Sequence, residues 1–381
     1  MRAIVNGRLL LPEGEKADAA LLFDEKILAV TREEIPAGTE VIDAGGCFVS
    51  PGLIDTHIHG CAGADASDAD AEGLKAMAGA LLKNGVTGFL PTTMTVAWET
   101  LEAVFRQVRQ LMPESLRPEF PGAEILGCHA EGPFINPEKK GAQAEENILP
   151  PDAEKILPFA DVIRLITFAP EMPGAAWFMK SIRKKTKIGL SIGHTAATYE
   201  QAMDAVNMGA GRFTHLFNAM PPVHHRFPGA AAAALCSGAY AELIADGIHV
   251  HPALFPLLYR LKGEKLVLIT DSLRAEGMPD GEYTLGGQRF TLRGRECRLE
   301  SGVIAGSVLR LNEAVLLLRD HAGIPLHAAV RAASLSAAES AGLSETKGSL
   351  TPGKDADIVL MDENCRVKRT IVRGVTKYTD I

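Results

Sequence analysis

Six residues of this chain, His57, His59, Glu131, His194, His215 and Asp271, could together hold divalent metal. His57 and His59 sit two apart in PGLIDTHIHG, so in an extended chain both imidazoles point to one side. The other four each close a short apolar run: Glu131 in ILGCHAEGP, His194 in IGLSIGH, His215 in RFTH and Asp271 in LVLITD. Taken singly, Asp271 reads as a helix N-cap and His194 as a satisfied core histidine. Taken together, they form a ligand set of imidazoles and carboxylates that suits zinc, iron, manganese or cobalt, with one or two ions per chain. Such an ion lowers the pKa of a bound water toward neutrality and polarises a carbonyl. Asp271 is the candidate acid/base, taking a proton from the attacking water and returning it to the leaving group.

Residues so far apart in sequence need a scaffold that brings strand ends together. From Leu53 onward, short apolar runs alternate with helical patterns, as repeated βα units around a parallel sheet require. The runs begin near Leu53, Val86, Ile125, Val162, Ile188, Arg212, Ala241 and Leu266, and eight strands close a (β/α)8 barrel of the TIM type. The active face of such a barrel is the one at the C-terminal strand ends, where all six candidates stand. Helices are expected over Glu72–Asn84, Ala97–Leu111, Ala175–Lys185 and Thr198–Met208, with Gly85 and Gly209 ending two of them. Residues 1–50 read as short strands with turns at Asn6-Gly7, Glu13-Gly14 and Ala44-Gly45-Gly46. A turn and two strands follow Leu350. The division expected is a small β-sandwich domain made from residues 1–50 and 346–381, beside a barrel over 51–345.

Composition removes other classes of function. Of 381 residues, 46% are hydrophobic, enough for a large core, and the net charge is -8 with no block of basic residues to meet a nucleic acid. The longest bland stretch, Ala230–Cys236, is too short to span a bilayer. The first residues show no secretory pattern, so a cytoplasmic location is expected. The cysteines are scattered, without a Cys-x-x-Cys pair, and read as reduced thiols.

With PGLIDTHIHG stand HAEGPFINPEKKGAQ, IGHTAAT, FTHLFNAMPP, ADGIHV, ITDSLRAEG, GEYTLGG and IAGSVLRL. On these segments the chain resembles the amidohydrolase superfamily and, within it, the family of N-acetylglucosamine-6-phosphate deacetylases. The resemblance implies that Glu131, His194 and His215 hold the principal ion, that His57 and His59 hold a second, and that Asp271 is the acid/base. It implies a sugar-phosphate substrate, with Asn218, Ala219, Arg226 and His249 on the phosphate side and Ala142 and Gln143 near the acetamide, while His215 faces both metal and substrate. Many relatives carry a histidine where this chain has Gln143, so either the metal or the Gln143 amide must polarise the carbonyl here. It also implies a homodimer in which Arg226 reaches into the neighbouring subunit's site. The segment Gly302–Leu309 is expected to close over the sugar, with Ala305 and Gly306 allowing close backbone approach. His129 reads either as a partner behind the ligands or as a packed core histidine. The activity implied is hydrolysis of the acetamide of N-acetylglucosamine 6-phosphate. The alternatives are the galacto sugar, another amidohydrolase reaction, and a catalytically silent barrel.

Overall fold

The computed structural model describes residues 1–380. Its centre is the expected barrel of parallel strands, β1 (Leu53–Ile58), β2 (Val86–Thr93), β3 (Cys128–Glu131), β4 (Ile163–Phe168), β5 (Gly189–Ile192), β6 (Arg212–Phe213), β7 (Tyr240–Ile244) and β8 (Leu266–Ile269). Each pairs in parallel with the next. A short piece, Glu124–Ile125, also pairs with β2 ahead of β3, so the third strand is interrupted. β8 returns to β1 just past the strand ends, where the Asp271 N–H donates to the His57 carbonyl (2.8 Å) and the His59 and Gly60 N–H groups donate to the Ser272 carbonyl (3.0 and 2.9 Å). The bonds that close the barrel are therefore the bonds that place His57, His59 and Asp271.

The helices follow their local signals. Asp70 caps Ala71–Leu81 by accepting from Glu72 and Gly73, and the chain leaves the following 3-10 turn through left-handed Gly85. Ala175–Lys185 falls where expected, and Thr198 and Gln201 form a capping box at the start of Tyr199–Asn207. Trp98–Ser115 runs past the expected end at Leu111 and through Pro113. A proline there removes a single helical bond, and Ser115 ties the extra turn down by donating to the Met112 carbonyl and accepting from the Ile125 N–H.

The two chain ends meet in a six-stranded sheet, in the order Val375–Thr379, Val367–Val372, Ile358–Met361, Phe48–Pro51, Arg8–Leu11 and Gly14–Lys16. A second sheet of Ile27–Thr31, Ala20–Phe23, Arg2–Val5 and Glu40–Asp43 packs on it. Side chains alternate across the first sheet. Leu9, Leu11, Val49, Ile358 and Leu360 enter the sandwich core, while Leu10, Phe48, Val359 and Met361 join the barrel core. Buried Lys347 fastens the two bodies, its Nζ lying 2.5 Å from Glu124, 2.8 Å from Asp355 and 2.9 Å from Asp357.

Two features depart from the expected elements. The C-terminal stretch forms three strands, because Arg373 and Gly374, both at positive φ (46° and 79°), turn the chain back into Val375–Thr379. After β8, an antiparallel sheet of Gly281–Leu285, Gln288–Arg293 and Glu296–Leu299 is inserted. Its apolar face, with Leu285, Phe290 and Leu292, packs on Met94 and Leu273 and forms one wall above the barrel mouth.

Candidate active site

At the C-terminal mouth of the barrel lies a cavity of about 270 Å³. His59, Glu131, His194, His215 and Asp271 line it, with Ala142, Gln143, Asn218, Ala219 and His249 around them. His57 lies directly beneath, fully buried. Glu131 is the hub. Its Oε1 is 3.3 Å from His194 Nε2, 3.0 Å from His215 Nε2 and 3.3 Å from His57 Nε2, and its Oε2 is 3.3 Å from His59 Nε2. Asp271 Oδ1 stands 3.2 Å from His59 Nε2 and 3.6 Å from His57 Nε2.

The histidines are oriented from behind. His59 Nδ1 faces the Thr92 carbonyl (3.1 Å), His194 Nδ1 the Lys139 carbonyl (2.8 Å), His215 Nδ1 the Asn218 carbonyl (3.2 Å), and His57 Nδ1 the Glu242 carboxylate (2.9 Å). All four partners can only accept, so each Nδ1 donates to the group behind it and each Nε2 turns inward. The Nε2 atoms of His194 and His215 then face each other at 3.1 Å, and His57 Nε2 is buried without a hydrogen-bond partner. Inward-facing Nε2 atoms crowded on two carboxylates are a donor set that a cation would take. Among the described residues, three groups of ligand-type atoms each lie within 4.8 Å of one another: Glu131–His194–His215 and His57–His59–Asp271 at the cavity, and His57–His129–Glu242. The residues present therefore fit a divalent ion.

Where no cation is bound, the carboxylates draw protons onto the rings instead. Burial opposes charge on both groups, yet Glu242, Glu131 and Asp271 hold the His57 pKa well above its usual value, while His57 and His194 hold the Glu131 carboxyl well below the carboxylate range. The backbone is also held out of the ordinary: His194, His215 and Asp271 have φ of 46°, 29° and 49°, a left-handed conformation that non-glycine residues seldom adopt. Each lies just past its strand, so the twist swings the side chain over the barrel axis.

The substrate-side candidates divide. Asn218 and Ala219 line the cavity on a strained turn, with Phe217 and Ala219 at φ of 78° and 51°. His249 lines it with Nδ1 held 2.6 Å from Asp246, which also accepts from the Ile248 and His249 N–H groups. Burial disfavours charge on His249, but Asp246 raises its pKa above the ordinary value. Gln143 is committed at both ends: its amide donates to Glu131 Oε2 (2.6 Å) and its oxygen accepts from the Thr95 N–H (2.6 Å). Its amide is therefore turned to the carboxylate hub as well as lining the cavity.

Ala305 does not line the cavity. Val303, Ile304 and Gly306 line it instead, and the Ala305 methyl is buried in the cluster under the inserted sheet. Arg226 does not reach the cavity of its own chain either. It is exposed on the loop between Pro221 and Pro228, and among the described residues no lysine or arginine lines the cavity. His129 is a satisfied core histidine, bonded to the Thr56 carbonyl (3.0 Å) and the Thr167 hydroxyl (2.8 Å), with burial and nearby His57 pushing its pKa down to about 3. Missed in the sequence were the roles of Asp246 and Glu242 and the apolar wall of Met94, Leu273 and Leu285, whereas Val303 and Ile304 line the cavity from the Gly302–Leu309 segment expected to close over the sugar. The one signal for Glu242 is a carboxylate inside an otherwise buried apolar strand, AELI.

The chain is similar to known proteins over nearly its whole length. The amidohydrolase family profile matches residues 48–377. The N-acetylglucosamine-6-phosphate deacetylase of Bacillus subtilis is 40% identical over 359 residues, covering 92% of this chain and 90% of that protein. An N-acetylgalactosamine-6-phosphate deacetylase of Escherichia coli is 36% identical over 378 residues, covering 96% of this chain and 97% of that protein. Among solved structures, the N-acetylglucosamine-6-phosphate deacetylase of Pasteurella multocida superposes with a TM-score of 0.94 at 30% identity, over the whole of both chains. That of Mycobacterium smegmatis in complex with N-acetyl-D-glucosamine-6-phosphate gives 0.90 at 30% identity over 99% of each. No helix among the described residues is long and apolar enough to cross a membrane. With its ligand set, its barrel and these matches, the chain belongs to the amidohydrolase family and, within it, to the group of N-acetylglucosamine-6-phosphate deacetylases.

Proposed function

We propose that this protein hydrolyses the acetamide of N-acetylglucosamine 6-phosphate, giving acetate and glucosamine 6-phosphate. The observation that carries the reading is the convergence of Glu131, His194 and His215 within bonding reach of one point, with Asp271 beside it at the cavity floor. Glu131, His194 and His215 would hold the principal ion, and His57 and His59 a second. Zinc, iron, manganese and cobalt all suit these donors. A divalent ion held there supplies water of lowered pKa and a polarised acetamide carbonyl.

The chain's own groups do the rest. Buried Asp271 would be held below the ordinary carboxyl pKa by His57 and His59, against the cost of burial, and so stands ionised and ready to take the proton of the attacking water. As the C–N bond breaks, Asp271 returns that proton to the departing amine, and the new C–O bond leaves acetate. Asn218, Ala219 and His249 would face the sugar-phosphate end. Because no lysine or arginine among the described residues lines the cavity, Arg226 of a second copy in a homodimer would supply a guanidinium for the phosphate dianion beside His249.

The test is acetate release by metal-defined enzyme from N-acetylglucosamine 6-phosphate, beside its galacto epimer, the unphosphorylated sugar and hydantoin. Fast release that needs both metal and phosphate is expected. Hydantoin opening without release from either sugar phosphate would overturn the reading, and preference for the galacto epimer would move it to the activity named for the E. coli relative.

A further inference from the structure

Glu242 lies in β7, fully buried one layer below the cavity. Its Oε1 accepts from Arg212 Nε (2.7 Å), and its Oε2 accepts from both the His57 ring Nδ1 and the His215 backbone N–H, each at 2.9 Å. Arg212 is itself buried and spread, with Nη1 on the Ser340 hydroxyl and Nη2 on the Thr56 hydroxyl. A carboxylate needed only to neutralise Arg212 would be served by that one ion pair. Here the second oxygen is spent on two candidate ligands from different strands.

We infer that Glu242 is a positioning residue that sets His57 and His215 for the ion at the same time. This rests on the reading above that those histidines hold metal. His57 is singled out because its partner is an anion, whereas the other three rings rest on backbone carbonyls. An anionic acceptor raises the basicity of the opposite ring nitrogen and fixes the ring's plane. Through one oxygen, Glu242 couples a member of the His57–His59–Asp271 group to a member of the Glu131–His194–His215 group. Arg212 keeps this carboxylate ionised and stationary, anchored through hydroxyls on two other elements.

The test is Glu242→Asp, which keeps a carboxylate for Arg212 but draws it back by about 1.5 Å, one bond length, from His57 and His215. Zinc affinity is measured by competition with a chromophoric chelator, and the melting temperature of the metal-free protein is measured alongside. Zinc affinity is expected to fall by roughly 10- to 100-fold while the metal-free protein melts within a few degrees of the wild type. A folded variant that binds zinc within about twofold of the wild type would overturn the inference alone. A wild-type protein that takes up no zinc would overturn the metal reading and this inference with it. If the variant does not fold, the imidazole nitrogen spectrum of the zinc-loaded wild type decides: His57 must carry its proton on Nδ1, and a proton on Nε2 overturns the assignment.

Discussion

Asp271 shows how much one residue is asked to do. Its left-handed φ of 49° turns the carboxylate back over β1, its N–H closes the barrel on the His57 carbonyl, and its Oδ1 rests 3.2 Å from His59. Replacing it with asparagine keeps the volume and the backbone bond but removes the proton acceptor. Asp271→Asn is expected to retain metal, as read by metal analysis of the purified protein, and to lose turnover by on the order of 100-fold or more in the acetate assay. Turnover near wild type would reject the acid/base role. The ligand residues were legible in the sequence because a polar, ionisable side chain closing an apolar run is conspicuous. Residues that act on ligands were not, since Asp246 reads as an ordinary loop carboxylate and Gln143 reads as a group facing substrate. That its amide is tied at both ends to Glu131 and Thr95 is a tertiary fact.

At the level of elements, the loop after the inserted sheet fixes the height of the cavity floor. The Ser307 N–H donates to the Asp271 carbonyl (2.8 Å), the Leu273 N–H to the Ser307 carbonyl (2.9 Å), and the Ser307 hydroxyl to the Thr270 carbonyl (2.6 Å). Gly306 makes this contact possible. Its φ is 44°, and a Cβ there would meet the Asp271 carbonyl oxygen at 2.7 Å and Leu273 Cδ2 at 2.6 Å. Gly306→Ala must therefore push the loop from Asp271, at a cost of about 1–3 kcal/mol, and turnover should fall by on the order of tenfold or more through misplacement of the acid/base. Thermal melting and the acetate assay check the two halves separately, and a variant matching wild type in both would show that the loop does not set Asp271. Strand order and barrel closure were legible because period and spacing carry them. The inserted sheet was not, because Gly281–Leu299 has a half-exposed alternation and little apolar content of its own. It becomes a sheet by packing Leu285 and Phe290 on Met94 and Leu273. The last hairpin was hidden for a similar reason: its turn is Arg373-Gly374, not one of the asparagine- or aspartate-glycine pairs that announce a tight hairpin.

The whole molecule carries a net charge of -8, yet its proposed substrate is a dianion. The one arginine on the loop that leaves Asn218 and Ala219 points to solvent, on a segment that also exposes Val223 by 54% and Phe227 by 76%. An exposed phenylalanine beside this guanidinium, next to a cavity that no lysine or arginine among the described residues lines, is consistent with the proposed homodimer. On the proposed pairing, each site combines Asp271 of one chain with Arg226 of the other. Arg226→Ala should then raise KM for the sugar phosphate strongly and leave the unphosphorylated sugar almost unaffected. Mixing it with Asp271→Asn under conditions that exchange subunits gives a sharper outcome. In a mixed dimer, one site pairs the intact Asp271 of the first variant with the intact Arg226 of the second. Random exchange would restore roughly a quarter of the sites, the statistical share for a twofold-symmetric pair. Activity measured before and after exchange, with each variant alone as the baseline, reads this directly. Recovery toward that fraction establishes a pocket shared between subunits, whereas activity that stays at the sum of the two variants places the phosphate cation within a single chain.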